Sequence, residues 1–551
     1  MNKLFYGDNL TIMQNMPLQC VDLIYLDPPF NSKQNYNLMY KSMTGKPVPE
    51  QAEAFCDTWE MDAEKQAIAK SMPILMQDHG VDQTYVKFWE FWMKALENTQ
   101  PHLLAYLIYM VQRLIWMKGI LRPTGSIYLH CDPTASHYIK VMMDGIFGHK
   151  NFQNEIIWKR TSSHNRTKRW GPVHDVILFY SASEKFTWNR VPQAYDEKYT
   201  DEFYRYSDDK GKYRVSDLTG PGSRTGSSGL PWRGVNPGGR HWELPPDRAL
   251  PNWFIFPEGY AQMNVQDRLD VLDAQAMIYW PKKVGGIPQF KRYLDSQQGA
   301  AIQDVIVDIQ PIQAHSQDRL GYPTQKPVAL LDRIIQASTN KGDVIFDPFC
   351  GCGTTIYSAQ KNERVWIGCD IAILAIKLIK EVLTERHRLA EGTHFAVDGI
   401  PVSVEQAQML FETDPFQFQH WIVERAGGFP MQKKVADKGI DGRLYIEAGK
   451  GELKEMVLSV KGGHIKPADI RDLRGVLERE GAVMAGFLCL KTPTKAMREE
   501  AAKAGMYKYG GTSYPRIQLL TAKEMLEDHR ELHTPTKVGS KIATGQAVLS
   551  L

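Results

Sequence analysis

Val21-Asp22-Leu23-Ile24-Tyr25-Leu26-Asp27-Pro28-Pro29-Phe30 is an apolar run that stops at a carboxylate followed by two prolines. Such a run fits a strand buried on both faces, as strands of parallel sheets are. Consecutive prolines remove ladder donors and fix the backbone, so Asp27 is expected at a strand tip. The strand belongs to a series. Residues 3–30 read as strand, turn, helix and strand, with Gly7-Asp8-Asn9 capping a stretch where Leu10, Met13 and Met16 recur every three positions. Residues 41–100 are Met-, Trp- and Gln-rich and read as a helical insertion. Leu103 to Met117 is apolar with helical spacing; after Arg122-Pro123-Thr124-Gly125, Ser126 to His130 reads as another buried strand. Alternation of this kind builds an α/β fold with a parallel sheet.

A second stretch, Phe346-Asp347-Pro348-Phe349-Cys350-Gly351-Cys352-Gly353-Thr354-Thr355, has the form of a strand, a tight turn and a helix start. Gly351 and Gly353 allow backbone to approach a ligand closely before Thr354 opens the helix. A lone Gly-x-Gly says little. Here the strand Val365 to Asp370 follows, and an acid about 20 residues on is placed to accept from ribose hydroxyls. The turn lacks the lysine of phosphate-binding loops and the third glycine of dinucleotide binders. It therefore favours a nucleoside with a small charged tail. Thr324-Gln325-Lys326-Pro327, ahead of the helix Pro327 to Ala337, can hold that tail.

The 551 residues suffice for several domains, and 43% hydrophobic content fills their cores. Lys+Arg of 66 against Asp+Glu of 63 leaves +3, so a polyanionic partner must be held by local basic patches. Seven scattered cysteines fit a reducing compartment, and Cys350-x-Cys352 lacks a second pair at zinc spacing. No leader-like stretch opens the chain and no uninterrupted apolar run approaches ~18 residues, so cytoplasmic location without a membrane span is expected.

The order of these motifs resembles the β group of DNA amino-methyltransferases, including the modification subunits of type III restriction systems. The likeness covers about residues 1–400 and includes Tyr6 to Asn9, Asp27 to Phe30, His130-Cys131-Asp132-Pro133, Asn154 to Trp158, His174-Asp175 and Gly321 to Pro327. It implies a Rossmann-like S-adenosylmethionine-dependent sheet, with Asp27, Pro28, Pro29 and Phe30 acting on the base. Asp8, Thr324, Lys326, Pro327, Asp347, Pro348, Phe349, Gly351, Gly353, Thr354 and Asp370 are then the cofactor residues, Asp8 near the adenine. A motif beginning with Asp implies adenine N6 as target in double-stranded DNA; cytosine N4 is the alternative, and glutamine methylation in protein fits poorly. An exocyclic amine is a poor nucleophile because its lone pair is conjugated into the ring. Asp27 and the Pro28 carbonyl, each accepting one N–H, would localise that pair, while Phe30 stacks on the extruded base.

Lys159, Arg160, Arg166, Lys168 and Arg169 lie between Trp158 and Trp170 and suit phosphate contacts. The Gly-, Pro-, Arg- and aromatic-rich stretch from about 190 to 300 has weak periodicity and reads as an irregular insertion. By position it resembles a target-recognition domain, with Arg224, Arg233 and Arg240 among its candidate DNA contacts. Residues 416–528 resemble the Mrr-like branch of restriction-endonuclease folds, on Gly439-Ile440-Asp441-Gly442 and Met456 to Lys461. That resemblance makes Asp441 and Lys461 a nuclease-like site using Mg²⁺. Ser459 stands where an acid or amide belongs, so a DNA-binding or docking remnant competes with an active single-chain restriction-modification enzyme; Gln417 or Gln419 falls where a helical acid often sits. The expected domains are 1–190 (catalytic half), 191–315 (target-recognition insertion), 316–410 (cofactor half), 414–530 (nuclease-like) and 531–551 (mobile tail). A homodimer and a separate restriction or helicase subunit are the further partners the resemblance raises.

Overall fold

A computed structural model describes residues 1–29, 35–38, 52–56, 59–133, 135–161, 168, 170–193, 195, 197–283, 285–294, 299–313, 316, 318–320, 322, 325–431, 439–447, 453–535 and 537. Phe30, Arg166, Arg169, Thr324 and most of the expected tail lie outside them. The chain forms two compact units, residues 190–303 and the remainder.

The larger unit is built on nine strands: β1 (Asn2–Tyr6), β2 (Val21–Leu26), β3 (Leu121–Cys131), β4 (Phe152–Lys159), β5 (His174–Ser181), β6 (Val305–Ile306), β7 (Val344–Asp347), β8 (Val365–Asp370) and β9 (Phe395–Asp398). Their order is β6-β4-β5-β3-β2-β7-β8-β1-β9. β5 alone runs against its neighbours. β2 and β7, distant in sequence, are parallel neighbours at the centre, with Leu23 opposite Ile345 and Ile24 opposite Phe346. Asp22 helps to pin that register. It is buried, accepts from Val344 N at 2.8 Å and pairs with Arg122 at 2.9 Å, so the cost of burying a charge inside a strand is offset by its bonds.

Alternation along the central strands divides the core in two. Leu23 and Tyr25 face one side, with α5 (Val328–Ser338), α6 (Thr354–Lys361) and α7 (Ile373–Glu385). Ile24 and Leu26 face the other, against α2 (Ala63–Asp78), α3 (Gln83–Thr99) and α4 (Pro101–Ile120); α1 (Asn9–Gln14) joins β1 to β2. α4 is long and apolar enough to cross a membrane by length and composition, although Arg113 and Lys118 interrupt its apolar run. Most of it is buried in this core, around a single inward arginine, Arg113. The expected helical insertion over 41–100 is corrected in part. Residues 52–56 are extended and pair antiparallel with 35–38, and helices occupy 63–78 and 83–99.

The unit 190–303 is less irregular than its sequence suggests. Strands 206–208, 211–217, 289–293 and 278–279 form an antiparallel sheet. Helix Val265–Ala274 is capped by Asn264, and Trp232, Trp242, Phe254, Leu269, Leu272 and Phe290 fill a core of its own. Short strands and Gly/Pro turns hid that core, because no element is long enough to show a period.

At the end of the larger unit, α8 (Val404–Thr413) and α9 (Pro415–Arg425) lead into a mixed sheet. It contains β10 (Gly442–Glu447), β11 (Leu453–Lys461), β12 (Met484–Cys489) and β13 (Ile517–Thr521), with 429–430 pairing at the β10 edge. α9 does not stand apart from the nine-stranded sheet. Phe418, Trp421 and Ile422 belong to the same buried cluster as Ile373, Ile376 and Ile379 of α7.

Candidate active site

The parallel pairing of β2 with β7 sets Asp27 and Asp347 at the same end of adjacent strands. Lys326, buried ahead of α5, places Nζ 2.5 Å from Asp27 Oδ2. Thr354 Oγ1, at the start of α6, donates to the Lys326 carbonyl at 3.3 Å and ties that residue to the glycine turn. The other Asp27 oxygen, Oδ1, is buried and has no hydrogen-bond partner among the described residues. A carboxylate oxygen left so is costly unless something else supplies the donor.

The glycine turn lies beside it. Gly351 and Gly353 have φ of +50° and +87°, and a Cβ on Gly353 would meet Ile379 at 2.7 Å. Asp370, at the end of β8, accepts from Gly351 N at 2.8 Å and from Ala372 N at 2.9 Å. The bonds fix the carboxylate at the turn. Burial pushes Asp347 up to about 7, with Asp27 and Asp370 adding like charge, and burial pushes Asp370 up to about 6. A pocket this rich in carboxylates, with Lys326 as a close cation, suits a ligand that brings positive charge of its own.

Asp8 is held by two neighbours. Arg113 reaches both its oxygens, at 2.7 and 2.9 Å, and Asp8 also caps α1 through Leu10 N. Arg113 Nε donates to Asn9 Oδ1 at 2.7 Å, and Asn9 Nδ2 donates to the Pro348 carbonyl at 2.8 Å. The Tyr109 ring lies 3.4 Å from the guanidinium. This brace between β1 and the glycine turn escaped the sequence reading. Its signal was present: one arginine inside an otherwise apolar helix must face a built acceptor.

A second buried network backs Asp27. Tyr25 Oη and His130 Nδ1 are 2.9 Å apart, His130 Nε2 and Asp175 Oδ2 are 3.1 Å apart, and Arg160 Nε reaches Asp175 Oδ1 at 3.0 Å. Burial, then Lys326, holds His130 below the ordinary histidine range against the pull of Asp175. Burial acts to raise Asp175, but the His130 bond and the charges of His130 and Arg160 win and keep it low. Arg160 is thus engaged inward by Asp175, while Lys159 and Lys168 are exposed.

In the other unit, Arg224 is exposed. Arg233 pairs with Asp270 at 3.0 Å and with Asp273, and Arg240 donates to Thr219 Oγ1 at 2.8 Å and its carbonyl at 2.6 Å. The last two serve that unit's own packing.

The nuclease-like site is closed. Asp441 Oδ2 accepts from Val460 N at 2.7 Å and from Ser459 Oγ at 3.3 Å, and Gln419 Nε2 donates to the Asp441 carbonyl at 3.3 Å. Among the described residues no group of three or more His, Cys, Asp or Glu side chains gathers as a metal site, so the expectation of Mg²⁺ at Asp441 and Lys461 gains no support. Ser459 occupies the position of a second acid and satisfies Asp441 instead.

Residues 21–381 match the DNA methylase family. The chain belongs to that family. Residues 415–527 match a different one, the NACHT-associated inactive restriction endonucleases. The methylase is 35% identical to the type II methyltransferase M.EcaI of Enterobacter cloacae over 279 residues, 50% of this chain and 56% of that one. It is 26% identical to the StyLTI Mod subunit, from a type III restriction-modification enzyme of Salmonella typhimurium, over 389 residues, 67% of this chain and 52% of that one. The DNA adenine methyltransferase YhdJ of Escherichia coli K12 is 38% identical over 96 residues, 17% of this chain and 33% of YhdJ. The chain thus spans about half the length of the first two relatives. The solved M1.HpyAVI–SAM complex is 12% identical over 71% of this chain and 100% of that chain, with a TM-score of 0.28, a likeness too low to argue from.

Proposed function

We propose that this methylase transfers a methyl group from S-adenosylmethionine to the N6 amine of an adenine extruded from double-stranded DNA. One observation carries the reading: a buried Asp27 oxygen, unpartnered among the described residues, at a strand tip beside the glycine turn. The M.EcaI, Mod-subunit and YhdJ likenesses support it. The residues fit the cofactor. Gly351 and Gly353 would let it approach the backbone, Asp370 would accept from its ribose, and the carboxylates suit its cationic tail. When bound, it supplies a methyl carbon made electrophilic by a sulfonium.

Asp27 Oδ1 accepts one N–H of the amine and the Pro28 carbonyl accepts the other, which localises the nitrogen lone pair toward the methyl. As the N–C bond forms and the S–C bond breaks, positive charge develops on the amine and Asp27 stabilises it. The surplus amine proton then leaves through Asp27 toward solvent. Lys326 fixes the second Asp27 oxygen, so Oδ1 keeps its direction. Alignment of this kind supplies much of a transfer enzyme's acceleration. Phe30 serves as stacking platform. Lys159, Lys168 and Arg224 contact DNA phosphates or bases, and residues 191–315 read the target sequence. A restriction subunit is the expected partner, by likeness to Mod subunits, and the C-terminal region docks rather than cuts.

Labelled S-adenosylmethionine with mixed-sequence duplex DNA, followed by nucleoside analysis, tests this. N6-methyladenine is expected; N4-methylcytosine would replace the target, and absence of label from DNA would overturn the reading.

A further inference from the structure

The nuclease-like region grips the cofactor end of the sheet with side chains. Gln417, His420, Trp421 and Glu424 stand at i, i+3, i+4 and i+7 of α9 and share one face. Gln417, 1% exposed, donates through Nε2 to the Ile371 carbonyl at 3.3 Å. Glu424 Oε2 accepts from Ile373 N at 3.3 Å. Residues 371–373 directly follow Asp370, whose Oδ1 already accepts from Ala372 N. The short link is therefore held from within by the acid proposed to meet the ribose, and from outside by α9.

The outside contact meets a local need. α7 begins at Ile373, and its N-cap, Ala372, has no side chain that can accept a hydrogen bond. Helix starts leave several N–H groups unsatisfied, and an Ala cap is among the least able to help. Glu424, from α9, supplies the missing acceptor. Behind this contact Tyr6, at the end of β1, is buried with its hydroxyl against the Gln417 side chain. Burial, then the charges of Glu424 and Asp414, pushes Tyr6 well above its ordinary range. Glu424 keeps partial solvent access, yet burial pushes it up to about 8 against the pull of Lys377 and with Asp370 adding like charge.

We propose that the nuclease-like region is a positioning element for the cofactor: Gln417 and Glu424 hold residues 371–373, and with them Asp370, in the geometry that binds the ribose. The proposal rests on the reading of Asp370 as the cofactor's acid. It gives a region with a closed nuclease site a task inside the methyltransferase. Because each end of the contact orders the other, cofactor binding and docking of this region favour one another.

Calorimetric titration of the full chain with S-adenosylmethionine tests it. One lost hydrogen bond is worth ~0.5–1.5 kcal/mol, so Glu424→Ala should weaken binding roughly 2–10-fold. Glu424→Gln keeps an acceptor and mimics the protonated acid, so it should restore affinity to within about twofold. Gln417→Ala should act in the same direction as Glu424→Ala, and kcat at saturating cofactor should hold in all three. Hydrogen exchange on the wild-type chain gives a second measurement that needs no variant. The cofactor should slow exchange across 371–376 and also across 415–425; protection confined to 371–376 overturns the proposal. Wild-type binding with all variants unchanged overturns it alone, whereas no binding by the wild type overturns the cofactor reading with it.

Discussion

Asp27 and Asp441 both sit at strand ends in α/β sheets of the same unit, and both lie in motifs from which chemistry on DNA is expected by sequence resemblance. Their surroundings differ. Asp27 has one oxygen on Lys326 and the other buried without a partner among the described residues, next to Asp347, Asp370 and a turn of left-handed glycines. Asp441 has a carboxylate oxygen taken by a backbone amide and a serine of the neighbouring strand, with no converging ligands among the described residues. An acid becomes available for chemistry when the fold leaves one of its oxygens unsatisfied and gathers other charges around it. An acid whose oxygen is consumed by the neighbouring strand serves the fold.

The largest expected separation between the two is in methyl transfer. Asp27→Ala should lower kcat by ~10²–10³-fold, the usual loss when one preorganised stabilising group is removed, while Asp441→Ala leaves transfer unchanged. Labelled methyl incorporation measures both, and equal losses would break the comparison.

Next comes the ion pair. Removing one member of a buried pair costs ~3–5 kcal/mol when burial is complete, and Asp27 keeps some solvent access, so Lys326→Met should cost about 2–3 kcal/mol in urea unfolding. Adding Asp27→Asn should recover most of that. Failure to recover would mean that Lys326 is held chiefly by other contacts.

The pH dependence is smaller. Asp347 and Asp370 are raised in the fold, to about 7 and about 6, above their unfolded values near 3.8. The native state therefore binds more protons across that range, and its stability should rise as pH falls from about 8 toward 4. The ionised forms are the destabilising ones. Asp347→Asn should raise the melting temperature at pH 8, by ~1–2 kcal/mol in equivalent stability, and change little at pH 4. Cofactor affinity should move the opposite way, weakening as the carboxylates protonate below about 7.

The smallest effect concerns Asp441. Its replacement by Ala should cost ~1–2 kcal/mol through the lost Val460 and Ser459 bonds. Supercoiled plasmid with Mg²⁺ should stay uncut by wild type and variant alike. Nicking by wild type that Asp441→Ala abolishes would restore the nuclease reading.

The methyltransferase sheet was legible because its strands carry their signals locally. A strand ends at Asp347, Thr354 opens a helix and Val365–Asp370 is a strand, as apolar runs and turn residues alone predict. The extended pair at 35–38 and 52–56 was not legible, since composition over 41–100 pointed to helix and cross-strand pairing outweighed it at 52–56. Nor were Arg113, which the sequence shows as one charge in an apolar helix, and the core of 190–303, spread over elements too short for periodicity.

The sequence by itself determined the α/β alternation, the acid-and-proline strand tip and the glycine turn, because backbone preference and side-chain patterning act over a few residues. Tertiary structure alone decided that β2 lies beside β7, that Lys326 rather than solvent meets Asp27, and that Glu424 caps a helix that starts 51 positions earlier in the chain. Those pairings join residues far apart in the chain, and only the closing of the core sets which of them meet.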